Sequence, residues 1–322
     1  MLSSFLRQRV RLPEPWTLPL TIARSLLFLG TGLTLTIGPS WAVFTPSNGN
    51  PDVLDCSGAS ALSVFCVADA LPLDVSTRVA GILLLVFATG LIPWLTAVPA
   101  AWILLSVPLS GTLVDGGDQL AGILGLLLIP VSVTDWRWNP WRDEAPRTAE
   151  SSAAVLAGTV SWWLARAQVV VVYLEACIGK IAVPEWAGGT ALYAWERHPN
   201  FGAPSWAQPL VYSLTAQPLI SALMTFAVMA TEFTIAISPV LPRWFRTRVL
   251  YPCAAALHFG IILLMGVSSF SMVMFAALTL LVLPIDTDLR ALRRALPRGG
   301  DAALANAQPA NPVEEKSISH VS

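Results

Sequence analysis

The chain has 322 residues, of which 55 % are hydrophobic and only 12 % charged, and a water-soluble domain of this length carries about twice that charged fraction. Its mean hydropathy is +0.64, and long apolar stretches recur from end to end, which excludes a disordered chain outside the C-terminal tail and indicates a polytopic membrane protein. The 19 basic and 20 acidic residues leave a formal charge of −1, so no basic face stands ready for a phosphate backbone and no nucleic-acid partner is expected.

Arg7, Arg9 and Arg11 precede a first apolar run over residues 18–37. A cleaved signal peptide is one reading of such a start. The run ends in Thr36-Ile37-Gly38-Pro39 without a small-x-small cleavage site, which favours a retained first span behind a cytoplasmic segment, 1–17. A turn-rich loop then covers 38–75. It holds Cys56 and Cys66, nine residues lying between them. The pair can close a small disulfide ring in an oxidising compartment, the alternative being two free thiols. The spacing is not CxxC, so neither a redox pair nor a zinc site is indicated.

Spans two (76–92) and three (to 111) meet at Pro93, and Pro99 and Pro108 leave open broken helices in place of two clean spans. The break SGTLVDGGDQ sets Asp115 and Asp118 around Gly116-Gly117 at the mouth of span four, 118–134. Beyond the charged loop DWRWNPWRDEAPR, span five covers 159–183. The Trp-, Pro- and Gly-rich stretch 184–209 suits an interfacial or partly re-entrant segment with Trp186, Trp195 and Trp206 at headgroup level. It is either a plain anchor or a lid over an outer opening. Spans six (210–238), seven (249–267) and eight (270–286) follow, with the basic turn RWFRTR between six and seven. A basic strip, Arg290 to Arg298, and a polar tail close the chain.

The expected fold class is therefore all-α: a polytopic integral membrane bundle of about eight helical spans, the membrane domain covering 18–287 and a cytoplasmic tail 288–322. An even number of spans puts both termini on one side. The clusters at Arg7–Arg11, Arg137–Arg147, Arg243–Arg248 and Arg290–Arg298, with Lys316, all fall on that side, against Arg78 and Arg197 on the other. Both termini are thus expected in the cytoplasm and the 38–75 loop outside. No internal repeat is visible, so an inverted-repeat transporter has little support.

Ionisable residues within spans are costly and usually functional. Span five carries Arg166, Tyr173, Glu175 and Lys180; Glu232 lies deep in span six and His258 within span seven. Lys180 either snorkels to the outer interface or faces the bundle, where an apolar pocket lets a lysine serve as a base or an anion-binding group. Glu175, five residues before Lys180, does not share its helix face and is expected to pair with Arg166 through another helix or with a group on span six or seven. His258 is a candidate beside these groups, a satisfied structural histidine being the alternative. The candidate site comprises Lys180, His258 and Glu175 as catalytic groups, with Asp115, Asp118, Trp186 and Tyr193 at a substrate or cavity mouth. Lys180, His258 and the Asp115–Asp118 mouth are expected to share one cavity. No metal site is expected, and no HExxH or Ser-His-Asp arrangement is present.

The run ACIGKIAVPEWAGGTALY at 176–193 resembles a segment of the vitamin K-dependent gamma-carboxylases and of their bacterial relatives with the horizontally transferred transmembrane (HTTM) domain. DGGDQLAGILGLLLIPVSVTDWRWNPW at 115–141 and HFGIILLMGVSSFSMVMFAALTLLVLP at 258–284 resemble two further markers of that family, in the same order. Length and the two-cysteine outer loop fit its SdpB-like branch best. The resemblance implies a multi-pass protein of the bacterial cytoplasmic membrane that matures a secreted antimicrobial peptide toxin, a bacteriocin, with a small SdpA-like partner protein. The implied partners are the secreted peptide precursor, that protein and membrane lipids. The implied cofactor is a reduced quinone such as menaquinol or vitamin K, and Lys180 falls on the lysine proposed as base in the carboxylases. Whether the chain is an enzyme stays open. The alternatives are a quinol-dependent, carboxylase-like modifying enzyme and a non-catalytic structural or immunity protein.

Overall fold

The computed structural model describes residues 14–44, 54–68, 70–111, 115–142, 152–199 and 201–285. Among these every regular element is helical. Helix α1 (Leu18–Ile37) opens with Pro19 in its first turn, where the missing N–H costs nothing, and stops at Gly38. Helices α2 (Leu73–Phe87) and α3 (Pro93–Ser110) are two separate elements. Pro99 and Pro108 lie inside α3 without dividing it. In the turn between α2 and α3 Ile92 takes φ 49° and donates its N–H to Trp138 O at 3.1 Å. Helix α4 (Gly116–Leu127) resumes after Leu128 as the short α5 (Ile129–Val133), with Pro130 in its first turn.

Helix α6 (Ser152–Ile181) is the longest, about 45 Å by its rise. The expected sixth span is divided into α7 (Gln208–Thr215) and α8 (Pro218–Ala236), because extended backbone at Gln217 precedes Pro218. After the turn Arg243–Leu250, whose second part is π-helical, come α9 (Tyr251–Met265) and α10 (Ser268–Val282). Among the described residues five stretches are long and apolar enough to cross a membrane: Leu18–Ile37, Pro93–Ser110, Ala153–Ile181, Pro218–Ala236 and Arg243–Met265. The shorter α2, α4 with α5, and α10 occupy the other three places where the sequence sets a span. The chain is an all-α membrane helical protein, as its apolar runs require.

Helix α10 forms the centre. Ala276 through Val282 are all buried there, and α10 packs on α1, α4, α6 and α9. Lipid offers no hydrophobic advantage to helix pairing, so close van der Waals approach must supply it. Gly30 of α1 shows how: a Cβ there would lie 2.9 Å from Met272 Cβ. The other flank is open. α1 buries 56 % of its apolar stretch, α8 only 22 % and the α9 stretch 17 %.

One end is locked by a buried ion network. Arg24 of α1 donates to Ser132 Oγ and to Asp135 Oδ2, both at 3.1 Å. Arg137 grips the same carboxylate at 2.7 and 2.9 Å. Trp16 adds an indole N–H to Val131 O at 3.0 Å. At the other end Cys56 and Cys66 are disulfide-bonded, with Cα atoms 5.7 Å apart. The ring is seated on the bundle by Val64 N–H to Ser106 Oγ at 2.8 Å, Trp102 Nε1 to Leu62 O at 2.8 Å, and an edge contact of Phe44 with Phe65. Arg7–Arg11, Arg147, the Arg290–Arg298 strip and the expected tail 288–322 lie outside the described residues.

Candidate functional site

Lys180 stands in the last turn of α6, where a cation complements the helix dipole. The helix ends one residue later because Val183, ahead of Pro184, is extended. A helical side chain leans toward the N-terminus of its helix, and Lys180 does so. Its Nζ returns toward Ala176 O (3.4 Å) and reaches both carboxylate oxygens of Glu232 on α8 at 2.8 Å. The Trp186 ring covers the ammonium at 5.1 Å. The lysine is thus turned into the bundle and held by a carboxylate, a carbonyl and an aromatic face. It does not snorkel outward. The sequence marked Glu232 as an intramembrane acid; only the packing of α6 on α8 makes it the partner of Lys180.

This pair lines a cavity of about 750 Å³ between α8, α9 and the 184–201 segment. Its wall is overwhelmingly apolar, with Met224, Val228, Leu257 and Ile261 among the lining residues. Polar groups reach it from Asp115, Lys180, Glu196, Thr231 and Glu232. Trp186, Trp195 and Phe201 bring the aromatic segment to its wall. That segment is pinned to α8 at Gly189, which has φ +74° and where a Cβ would come within 3.0 Å of Ala222. A side chain there would both strain the backbone and push the segment off the helix. Leu192 N–H to Thr225 Oγ1 and Ser221 Oγ to Gly189 O complete the attachment.

Of the expected mouth residues, Asp115 and Trp186 line the cavity and Asp118 and Tyr193 do not. Asp115 also caps α4, accepting from Asp118 N–H at 2.8 Å, and Asp118 sits in that helix's first turn. Tyr193 instead stacks under the Arg197 guanidinium at 3.8 Å. Arg197 clamps the segment to α7 through Thr215 Oγ1 at 2.9 Å and Tyr212 O at 3.0 Å. Glu196, which sequence reasoning passed over, is buried at the cavity wall with Oε2 unpartnered. Burial raises its pKa, with Arg197 partly opposing.

His258 is not on the cavity wall, contrary to the shared cavity expected from the sequence. It is buried deeper, its Nε2 3.0 Å from the Tyr173 hydroxyl and its ring against Phe270 and Phe275. Its Nδ1 has no partner. Tyr173 lies two turns before Lys180 on α6, so His258 meets the span that bears Lys180 without reaching Lys180 itself. Glu175 is exposed and pairs with neither Arg166 nor a group on α8 or α9. Five residues on a helix turn it well away from the Lys180 face. Arg166 donates instead to Leu281 O at 2.7 Å.

The fold and this cavity define the chain as an all-α membrane helical protein with an apolar chamber and one ion pair set in its wall. No family model matches the chain, and no solved structure matches it. It is similar to the sporulation-delaying protein SdpB of Bacillus subtilis, with 26 % identity over 281 residues, 86 % of this chain and 84 % of that one. It is also similar to the uncharacterized protein YitO of the same organism, with 27 % identity over 284 residues, 86 % of this chain and 89 % of that one. These similarities span most of both chains and support an SdpB-like relationship.

Proposed function

We propose that this chain is a maturation factor for a secreted antimicrobial peptide, working near the outer face of a bacterial cytoplasmic membrane with a small SdpA-like partner protein. The observation that carries it is the similarity to a sporulation-delaying protein along 86 % of the chain. The cavity fits such a role. An apolar chamber of about 750 Å³ accepts the apolar stretch of a peptide, and the Lys180–Glu232 pair gives it one place for polar chemistry. A lysine and a glutamate 2.8 Å apart can pass a proton between them, and the pair carries no net charge either as ammonium–carboxylate or as amine–carboxylic acid, the second form leaving the Lys180 amine as a base.

A quinol-dependent modifying enzyme is the second reading, favoured by the chemistry of the same wall. An aromatic-rimmed apolar chamber with one ammonium donor suits a quinone ring and its oxygen atoms. A reduced quinone, when bound, supplies reducing equivalents. Lys180 would donate to its oxygen, Trp186 would bound the ring, and the apolar wall would exclude water. The test is co-expression with candidate precursor peptides and intact-mass analysis of the secreted product. A mass change that disappears in Lys180→Met supports maturation by this site. An unchanged product with Lys180→Met and His258→Ala leaves the structural or immunity role. A quinone extracted from the purified protein distinguishes the second reading.

A further inference from the structure

We propose that Arg166 and Arg246 together bind a phosphate group, that of an anionic phospholipid or a free phosphate, at the end of the bundle that carries the RWFRTR turn. Arg24, Arg137 and Lys180 each have a carboxylate partner. Asp135 serves Arg24 and Arg137, and Glu232 serves Lys180. Arg166 is only 8 % exposed and has no acidic partner among the described residues. Its one hydrogen bond goes to Leu281 O at the end of α10, and its Nε–H is buried without a partner. The turn that Arg246 opens packs on α10, as the helix of Arg166 does, and the Arg246 Nε–H is also buried and unpartnered.

Packing brings these groups to one place. The Tyr251 hydroxyl, one turn beyond Arg246, meets Thr279 Oγ1 of α10 at 3.3 Å, two residues from the carbonyl that Arg166 holds. The turn at Ser238–Val240 packs on α10 as well, with the Ser238 hydroxyl fully buried and unpartnered. Arg246 opens the π-helical turn Arg246–Leu250, a widened form of helix often found at functional sites.

A buried guanidinium and a half-buried one with no acidic partner among the described residues are costly in a membrane. One phosphate would neutralise them and accept from both orphaned Nε–H groups, and guanidinium is the side chain suited to phosphate oxygens. Trp163, whose ring faces Arg166 at 5.3 Å, and Trp244 are both exposed, which gives the site the aromatic flanks of a headgroup position. By the charge asymmetry this is the cytoplasmic leaflet, the one that presents anionic headgroups to basic residues.

The full chain, purified and delipidated in mild detergent, is titrated with phosphatidylglycerol, phosphatidylcholine or inorganic phosphate while binding is followed by native mass spectrometry and thermal unfolding. Phosphatidylglycerol is expected to bind more tightly than phosphatidylcholine, and Arg246→Gln to weaken it at least about tenfold, the loss of a charge-assisted bond. Arg248→Gln, an exposed cation of the same turn, should change binding by no more than about fivefold, as an exposed charge does. Arg166→Gln should repeat the loss. If that variant fails to fold, the half-buried Arg246 carries the test alone. An Arg246-dependent effect of inorganic phosphate in place of lipid assigns the site to a soluble phosphate. Equal losses in Arg246→Gln and Arg248→Gln, or no response to any probe, overturns the proposal.

Discussion

Lys180 and Glu232 stabilise each other within an apolar wall, with side chains 21 % and 13 % exposed, so losing one partner differs from losing both. Lys180→Met leaves a carboxylate without its cation and should destabilise the protein by on the order of 3 kcal/mol in a detergent unfolding titration. Lys180→Met with Glu232→Leu should recover most of that loss, since an apolar pair replaces an ion pair at little cost. Product formation should be absent in both variants if the pair does chemistry. A double variant that is stable yet inactive therefore separates chemistry from folding. Glu196 gives a pH prediction. Its folded pKa lies above its ordinary value of 4.5 because burial penalises the carboxylate. Its protonated form therefore favours the folded segment, and that contribution is fully present below pH 4.5 and fades as pH rises through the higher folded value. Glu196→Gln should flatten this slope, making the 184–201 segment more resistant to protease than wild type at pH 8 and no different at pH 4.

The elements differ in what holds them. The outer loop has little core of its own: Phe65 is buried, while Leu62 and Val67 are exposed. The Cys56–Cys66 ring is therefore its main constraint, worth about 2–3 kcal/mol by chain entropy for so short a closure. Cys56→Ser with Cys66→Ser should lower the unfolding free energy by no more than this, and non-reducing peptide maps of wild type should contain the linked peptide. Full alkylation of both thiols without reductant would refute the bond in the mature protein. The 184–201 segment shows the opposite solution. It has no disulfide and is fastened through Gly189, Leu192 and Arg197, each a contact to a helix that follows it in the chain.

For the whole molecule, the division of charge predicts the orientation. Arg137, Arg142 and the RWFRTR turn stand at one end of the helices and the disulfide loop at the other, which the positive-inside rule assigns to the cytoplasm and the outside. Reporter fusions at Asp143 and at Gly58 should report opposite sides of the membrane. The same side for both would invalidate the topology and with it the outer placement of the cavity mouth.

Apolar run length and punctuation already determined the all-α class and most of the helices, though not the break at Gln217 that divides the expected sixth span. A segment in lipid must satisfy its own backbone, so residues 18–37 could only become a helix, and Gly38-Pro39 could only end it. The cysteine pair was legible for the same local reason, since ten residues of turn-forming chain bring the two Cα atoms within 5.7 Å. The partners were not legible. Lys180 meets a residue 52 positions away, Tyr173 one 85 away and Arg24 one 111 away. Each pairing depends on the rotation and depth of one helix against another. Helices that are apolar on nearly every side, as α8 and α9 are, carry no stripe that fixes that rotation. So the sequence marked Lys180, Glu232 and His258 as groups that lipid would not tolerate alone. The packing of α6 against α8 and α9 alone decided that Lys180 took Glu232 and His258 took Tyr173. That same packing left Arg166 and Arg246 without an acidic partner among the described residues.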